Sequence, residues 1–314
     1  MLKPRLFSTL RCLQHENPLG LPRSGAPPQL PRMQRGLPQR RSIKDVKKIV
    51  AVSSAKGGVG KSTIADTTRH DTTSSLAHTH HAVNLALSFA RRGHRAGILD
   101  TDIFGPSIPT LLNLSGEPRL SANNQLIPLS NYGLKSMSMG YLVPESSPVA
   151  WRGLMVMKAL QQLLHEVDWG GLDVLVLDMP PGTGDVQLTI TQQLNLDGAL
   201  IVSTPQDLSL KDAVKGVELF NKVNVNLLGL VCNMAGFKCP GCGSVHDVFG
   251  NMDKIRNMCS TYDLKMLGEL PLHGSISDDA DRGKPTVVAE PDGENAAAFL
   301  HIAHEIEAAI GLTK

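Results

Sequence analysis

The chain has 314 residues, 41% hydrophobic and 19% charged, which excludes a collagen, a coiled-coil rod and a wholly disordered protein and leaves one large domain or two modest ones. Its net charge of +2 hides an asymmetry, because residues 1–41 carry seven Arg and one Lys against Glu16 alone, a balance of +7, so residues 42–314 sum to −5. A mildly acidic body argues against a nucleic-acid binder, the lack of an apolar run of about 18 residues argues against an integral membrane protein, and five cysteines are too few for a disulfide framework, which leaves metal or redox chemistry for any close pair.

The first segment, residues 1–41, holds seven prolines, among them Pro22, Pro27, Pro28, Pro31 and Pro38, which forbid a long helix. It is Arg-rich, acid-poor and opens Met1-Leu2-Lys3-Pro4-Arg5-Leu6-Phe7. That composition predicts a disordered mitochondrial transit peptide rather than a secretory signal, and hence a matrix location for the remainder. Residues 42–314 are then expected to form the folded domain.

From Lys47 onward short apolar runs alternate with amphipathic stretches, the pattern of strand-helix units on a mostly parallel, doubly wound α/β sheet flanked by helices. The runs are Ile49 to Val52, Ala96 to Leu99, Val174 to Leu177, Ala199 to Val202 and Leu227 to Val231. In such a sheet ligands gather beyond the carboxyl ends of the strands, so the residues after each run carry the functional expectation.

After the first run stands Ala55-Lys56-Gly57-Gly58-Val59-Gly60-Lys61-Ser62-Thr63. Glycines let backbone N–H groups approach phosphate oxygens without obstruction; Lys61 suits the β and γ phosphates of a nucleotide, and the Ser62 hydroxyl suits Mg²⁺. Ala55 occupies the place where the usual phosphate-loop pattern has its first glycine. Thr63-Ile64-Ala65 should continue directly into Val83-Asn84-Leu85-Ala86-Leu87 as the helix behind the loop, yet residues 66–82 intervene. Rich in Thr, Ser and His, this segment predicts a solvated loop, a poor helix and no metal site. The clean join of Ala65 to Val83 suggests a retained in-frame intron or another gene-model error, which sequencing of the spliced transcript tests.

The second run ends in Asp100-Thr101-Asp102, and the third in Asp178-Met179-Pro180-Pro181-Gly182-Thr183-Gly184-Asp185. Carboxylates at strand ends beside a phosphate loop fit a hydrated Mg²⁺ and an oriented water. Taken singly, each is also a plausible turn or helix cap.

With these motifs, together with Tyr132-Gly133-Leu134, Met137-Ser138-Met139-Gly140, Trp151-Arg152-Gly153-Leu154 and Ser203-Thr204-Pro205-Gln206-Asp207, the chain resembles the Mrp-like (ApbC-like) branch of the deviant Walker A P-loop ATPases, of MinD-like fold. Within that branch it is similar to mitochondrial factors that assemble iron-sulfur clusters for respiratory complex I. The resemblance implies ATP and Mg²⁺ binding with at most weak hydrolysis. It implies Lys56 as the lysine reaching into a partner subunit, Asp102 as the residue orienting the hydrolytic water, Asp100 and Asp178 in the magnesium shell, and Asn233 against the adenine. For Asn233 a strand-end turn residue is an equal reading. The family has no insertion corresponding to residues 66–82.

Cys239-Pro240-Gly241-Cys242 follows the run Leu227 to Val231. Two thiolates so spaced can bend round one metal but do not complete a site, whereas two copies of the loop across a two-fold axis supply the four that a cluster takes. The resemblance implies a labile [4Fe-4S] cluster bridging a homodimer and handed to apo iron-sulfur proteins, complex I subunits among them. A zinc site completed by His246 and a thioredoxin-type redox pair are the rival readings, the latter disfavoured by placement in a loop. Cys232 and Cys259 read as ordinary buried thiols. A ParA- or MinD-like organiser of DNA or membrane is the alternative of a different class, and a zinc-stabilised nucleotide-binding module is a third. The organiser reading lacks a C-terminal basic amphipathic helix, since residues 294–310 include Glu305 and Glu307 and no Lys or Arg.

Overall fold

The computed structural model describes residues 40–54, 72–103, 105–143, 153–182 and 184–313. Its strands are β1 (Val46–Ser54), β2 (Ala96–Asp100), β3 (Leu129–Asn131), β4 (Leu134–Met137), β5 (Leu172–Asp178), β6 (Gly198–Ser203), β7 (Leu227–Lys238), β8 (Val245–His246) and β9 (Met266–Leu272). The helices are α1 (Thr72–Arg91), α2 (Ile108–Leu111), α3 (Gly153–His165), α4 (Asp185–Gln193), α5 (Asp207–Lys222), α6 (Met252–Tyr262), α7 (Gly274–Asp281), α8 (Thr286–Ala289) and α9 (Glu294–Ile310).

The strands form one sheet in the order β3-β4-β2-β5-β1-β6-β7-β8, with β9 also on β7. β2, β5, β1, β6 and β7 run parallel to their neighbours in this series, and these are the five apolar runs predicted from the sequence. Both faces of a parallel sheet are covered, so such strands read as continuous hydrophobic stretches; every residue of β2 and β6 is buried. The edges are different. β3 and β4 form an antiparallel hairpin whose turn residues Tyr132 and Gly133 both have positive φ, 52° and 77°, as a two-residue type I′ turn requires.

Helix α1 crosses behind β2 and β5 and packs against α8 and α9. It is buried continuously from Thr79 to Phe89, so it is the central helix of the fold rather than a surface one. Its end is closed by Gly93 at φ 91°, with Gly93 N–H donating to the Ala90 carbonyl and His94 N–H to that of Phe89. Arg92 and His94 then meet the Glu307 carboxylate of α9 at 2.7 and 3.1 Å. That pins the C-terminal helix to the centre of the molecule, with Glu307 buried rather than displayed.

The reading of residues 66–82 as a solvated loop is corrected in part: residues 72–82 are helical, as the first half of α1, and Thr79, His80, His81 and Ala82 are buried. Poor intrinsic propensity is worth only tenths of a kcal/mol per residue and yields to tertiary burial.

Candidate functional site

The site is built where the parallel strands end. Asp100 and Asp178 close β2 and β5 as register partners, and Thr101 ties the two ends by donating from its N–H and its hydroxyl to the Asp178 carbonyl at 3.0 and 2.6 Å. The Asp102 N–H donates to Asp100 Oδ1 at 3.0 Å, and the Gly105 N–H to Asp102 Oδ1 at 3.3 Å. Three aspartates at the ends of adjacent strands therefore share one pocket of the interior, all of them buried.

Crowding and burial leave their mark on protonation. Burial, then the neighbouring Asp102 carboxylate, pushes Asp100 up to about 7 against the pull of the Ser138 hydroxyl. Asp178 is raised well above the usual carboxylate range by burial and by Asp100, opposed by a hydrogen bond from Thr79. Like charges packed without a cation favour the neutral acid. A cation beside buried carboxylates favours their charged form instead.

Further polar atoms at this end make no hydrogen bond among the described residues: Ser54 Oγ after β1, Ser107 Oγ before α2, Thr204 Oγ1 after β6 and Gln187 Oε1 on α4. Gln187 itself is held by its amide, which donates to the Pro180 carbonyl at 2.5 Å. Buried polar atoms without partners are uncommon in a finished interior, and their gathering at one end of the sheet fits a polar ligand there.

Sequence reasoning placed Asp100, Asp102 and Asp178 here, and the structure brings them together. Ala55, Lys56, Gly57, Gly58, Val59, Gly60, Lys61, Ser62 and Thr63 lie outside the described residues, as does Thr183. Asn233 sits inside β7, which runs on to Lys238, and not after its end as predicted. Its Oδ1 accepts from the Met234 N–H at 2.9 Å, supporting Met234 at φ 54° where β7 and β9 slip register. Ser138 had been noted only as part of a motif; its hydroxyl donates to Asp100 Oδ2 at 2.9 Å. The sequence carried no local signal for it, because Ser138 reaches Asp100 only once β4 has docked beside β2.

The cysteine pair lies at one edge of the sheet, between β7 and β8. The β7 tail and β8 pair antiparallel, and Cys239 to Ser244 form the connecting turn, with Cys239 N–H bonded to the Ser244 carbonyl and Gly243 N–H to that of Cys239, each at 2.8 Å. Cys242 is exposed and Cys239 partly so. The Ser244 hydroxyl and N–H, then the Cys239 thiol, draw the Cys242 thiol below its ordinary range. A thiol more readily ionised at an accessible turn suits a metal or cluster ligand. Cys232 and Cys259 are buried, and burial holds the Cys232 thiol up to about 12. Among the described residues, no three His, Cys, Asp or Glu side chains of this one chain converge as a metal site.

A mostly parallel sheet flanked by helices, with aspartates at adjacent strand ends and a first strand followed in sequence by Lys56-Gly57-Gly58-Val59-Gly60-Lys61, places the chain in the P-loop fold class. Over residues 45–307 the chain matches the family described as ParA: NUBPL iron-transfer P-loop NTPase. It belongs to that family. A mouse protein named iron-sulfur cluster transfer protein NUBPL is 51% identical over 276 residues, covering 87% of this chain and 81% of the mouse protein. An Arabidopsis thaliana protein named iron-sulfur protein required for NADH dehydrogenase, mitochondrial, is 45% identical over 262 residues, 83% of this chain and 78% of that one. Among solved structures, a nucleotide-binding protein from Archaeoglobus fulgidus in complex with ADP superposes with a TM-score of 0.65 at 31% identity, covering 82% of this chain and 93% of the other.

Proposed function

We propose that this chain is an iron-sulfur cluster carrier that holds a [4Fe-4S] cluster between two copies of itself and delivers it to apoproteins, subunits of respiratory complex I among them, in the mitochondrial matrix. The observation that carries the reading is the pair Cys239 and Cys242 at an exposed turn, with Cys242 biased toward thiolate by Ser244. Two thiolates per chain supply half a cluster's ligands, so a symmetric pair of turns completes the set. Val245 and Val248, both exposed, border the turn with apolar surface suited to burial against a second copy. The cluster is cargo: exposed, two-per-chain ligation leaves it open to thiols of an acceptor.

The nucleotide half of the reading assigns phosphate contacts to Ala55 through Thr63, with Lys61 on the β and γ phosphates and Lys56 reaching the partner subunit. Mg²⁺ would be held by Ser62 with Asp100 and Asp178 behind it, and Asp102 would orient water for slow hydrolysis. Asn233 near the adenine and residues 1–41 as a transit peptide complete the proposal.

Anaerobic reconstitution of the chain without residues 1–41, followed by iron and sulfide analysis, tests the carrier. About two irons per chain in a dimer, lost in Cys239→Ala, are expected. Zinc or no metal at the turn sinks the carrier reading and leaves a nucleotide-binding protein with a structural cysteine loop.

A further inference from the structure

The connection between β7 and β8 is closed by two backbone bonds, from the Cys239 N–H to the Ser244 carbonyl and from the Gly243 N–H to the Cys239 carbonyl, each at 2.8 Å. The second joins residues four apart, which makes the segment a single helical turn that is not continued. Helical backbone places Cα atoms three residues apart at about 5 Å, inside the span of about 4.4–6.8 Å that a disulfide takes. Cys239 and Cys242 are so spaced. Pro240 between them fixes its own φ and stiffens the turn. Cys239 Sγ stays within the turn, 3.9 Å from the place of a Cβ on Gly241, the residue that precedes Cys242.

Access sets this pair apart from the other described cysteines. Cys232 and Cys259 are buried, and the Cys232 thiol is directed at Met252 Sδ, 3.6 Å away. Cys242 is exposed and Cys239 half-buried, so a dissolved reagent meets Cys242 first and Cys239 is the thiol within its reach. Helix α6 starts only at Met252, so neither cysteine stands at a helix N-terminus. The turn therefore lacks the dipole that equips a catalytic oxidoreductase, and its redox chemistry is that of a stoichiometric switch.

We infer that Cys239 and Cys242 form a thiol–disulfide switch: in the cluster-free chain a small disulfide such as glutathione disulfide converts the pair to an intrachain disulfide, which holds no cluster until a thiol reductant reopens it. The Cys242 thiolate attacks one sulfur of glutathione disulfide, forming a bond to that sulfur and releasing one glutathione. The Cys239 thiolate then attacks Cys242 Sγ, forming the protein disulfide and releasing the second. The protein pair gives up two electrons and two protons, and glutathione disulfide takes them up as two thiols. A sulfur in a disulfide is no thiolate, so the closed turn offers a metal nothing. The exchange chemistry stands on the turn alone, whereas its consequence for cargo rests on the carrier reading.

The test incubates the reduced full chain, without air, in a mixture of glutathione and glutathione disulfide, blocks remaining thiols with N-ethylmaleimide in denaturant and maps the chain by mass spectrometry. Trypsin releases both cysteines in one peptide, residues 239–254. That peptide is expected to be two hydrogens lighter and unalkylated, to revert with dithiothreitol, and to be accompanied by alkylated Cys232 and Cys259. Iron and sulfide loading of the oxidised chain is expected to fall about tenfold and to return on reduction. Cys239→Ser should retain glutathione on Cys242, since no second thiol displaces it. A pair that stays reduced, keeps glutathione in the unsubstituted chain or bridges two chains overturns the inference, as does equal iron loading of the oxidised and reduced forms. A reversible disulfide in a chain whose reduced form takes up no iron overturns the carrier reading instead, so the two failures are told apart.

Discussion

Ser138 and Asp100 meet at 2.9 Å, hydroxyl to Oδ2, across the ends of β4 and β2, with both side chains buried. The hydroxyl, followed by the backbone N–H groups of Asp102 and Ile108, acts against burial and the Asp102 carboxylate to keep Asp100 ionisable. Ser138 is thus a positioning residue for the carboxylate cluster, acting through Asp100.

Ser138→Ala is expected to lose about 1–2 kcal/mol of unfolding free energy, the usual cost of stranding a buried acceptor, and to raise Asp100 further. Urea denaturation measures the first. Carboxyl titration of Asp100 by NMR measures the second, and an unchanged titration would show that the contact does not act on Asp100.

The four described cysteines divide by environment. Iodoacetamide at neutral pH is expected to modify Cys239 and Cys242 on the folded chain and to spare Cys232 and Cys259, whose thiols burial raises. Ser244→Ala should slow Cys242 about threefold by removing its main thiolate partner. Peptide mapping by mass spectrometry decides it, and equal rates in the two chains would remove Ser244 from the account.

His80 supplies an acid-side liability. Asn84 Oδ1 is committed to the Val287 N–H, so Asn84 Nδ2 points its hydrogens at His80 Nε2, 2.9 Å away. Nε2 must accept, which leaves the neutral ring's proton on Nδ1. Burial lowers the imidazole from 6.5 to about 4. Between those values the unfolded chain binds the proton and the folded chain does not, so stability falls as pH drops through that window and is unaffected above it. The loss is on the order of 2 kcal/mol near pH 5. His80→Gln, which cannot titrate, should show a shallower fall in urea midpoint from neutrality to pH about 5; an identical profile would assign the acid sensitivity elsewhere.

Gly229 lies in β7 at φ 148°, where a Cβ would sit 2.3 Å from the Lys265 carbonyl oxygen. It marks the register shift between β6 and β7 and lets β9 close on β7. Gly229→Ala is expected to cost about 3 kcal/mol, because backbone rather than a flexible side chain must move. Thermal denaturation checks this, and a loss within about 0.5 kcal/mol would refute the steric argument.

The five central strands were legible in the sequence because a strand buried on both faces needs nothing but a short apolar run, a local property. The aspartates at their ends followed from the same reading, since chain direction in a parallel sheet puts every such terminus on one side. The exposed thiol pair was equally local. Tertiary structure alone decided β3, β4 and β8, whose short and partly polar residues become strands only because a neighbour offers hydrogen bonds, and the pairing of β9 on β7. It alone brought Ser138 to Asp100, residues far apart along the chain whose meeting depends on β4 docking beside β2. It also made a helix of residues 72–82: local propensity there is weak, but the burial of Thr79, His80, His81 and Ala82 outweighs it.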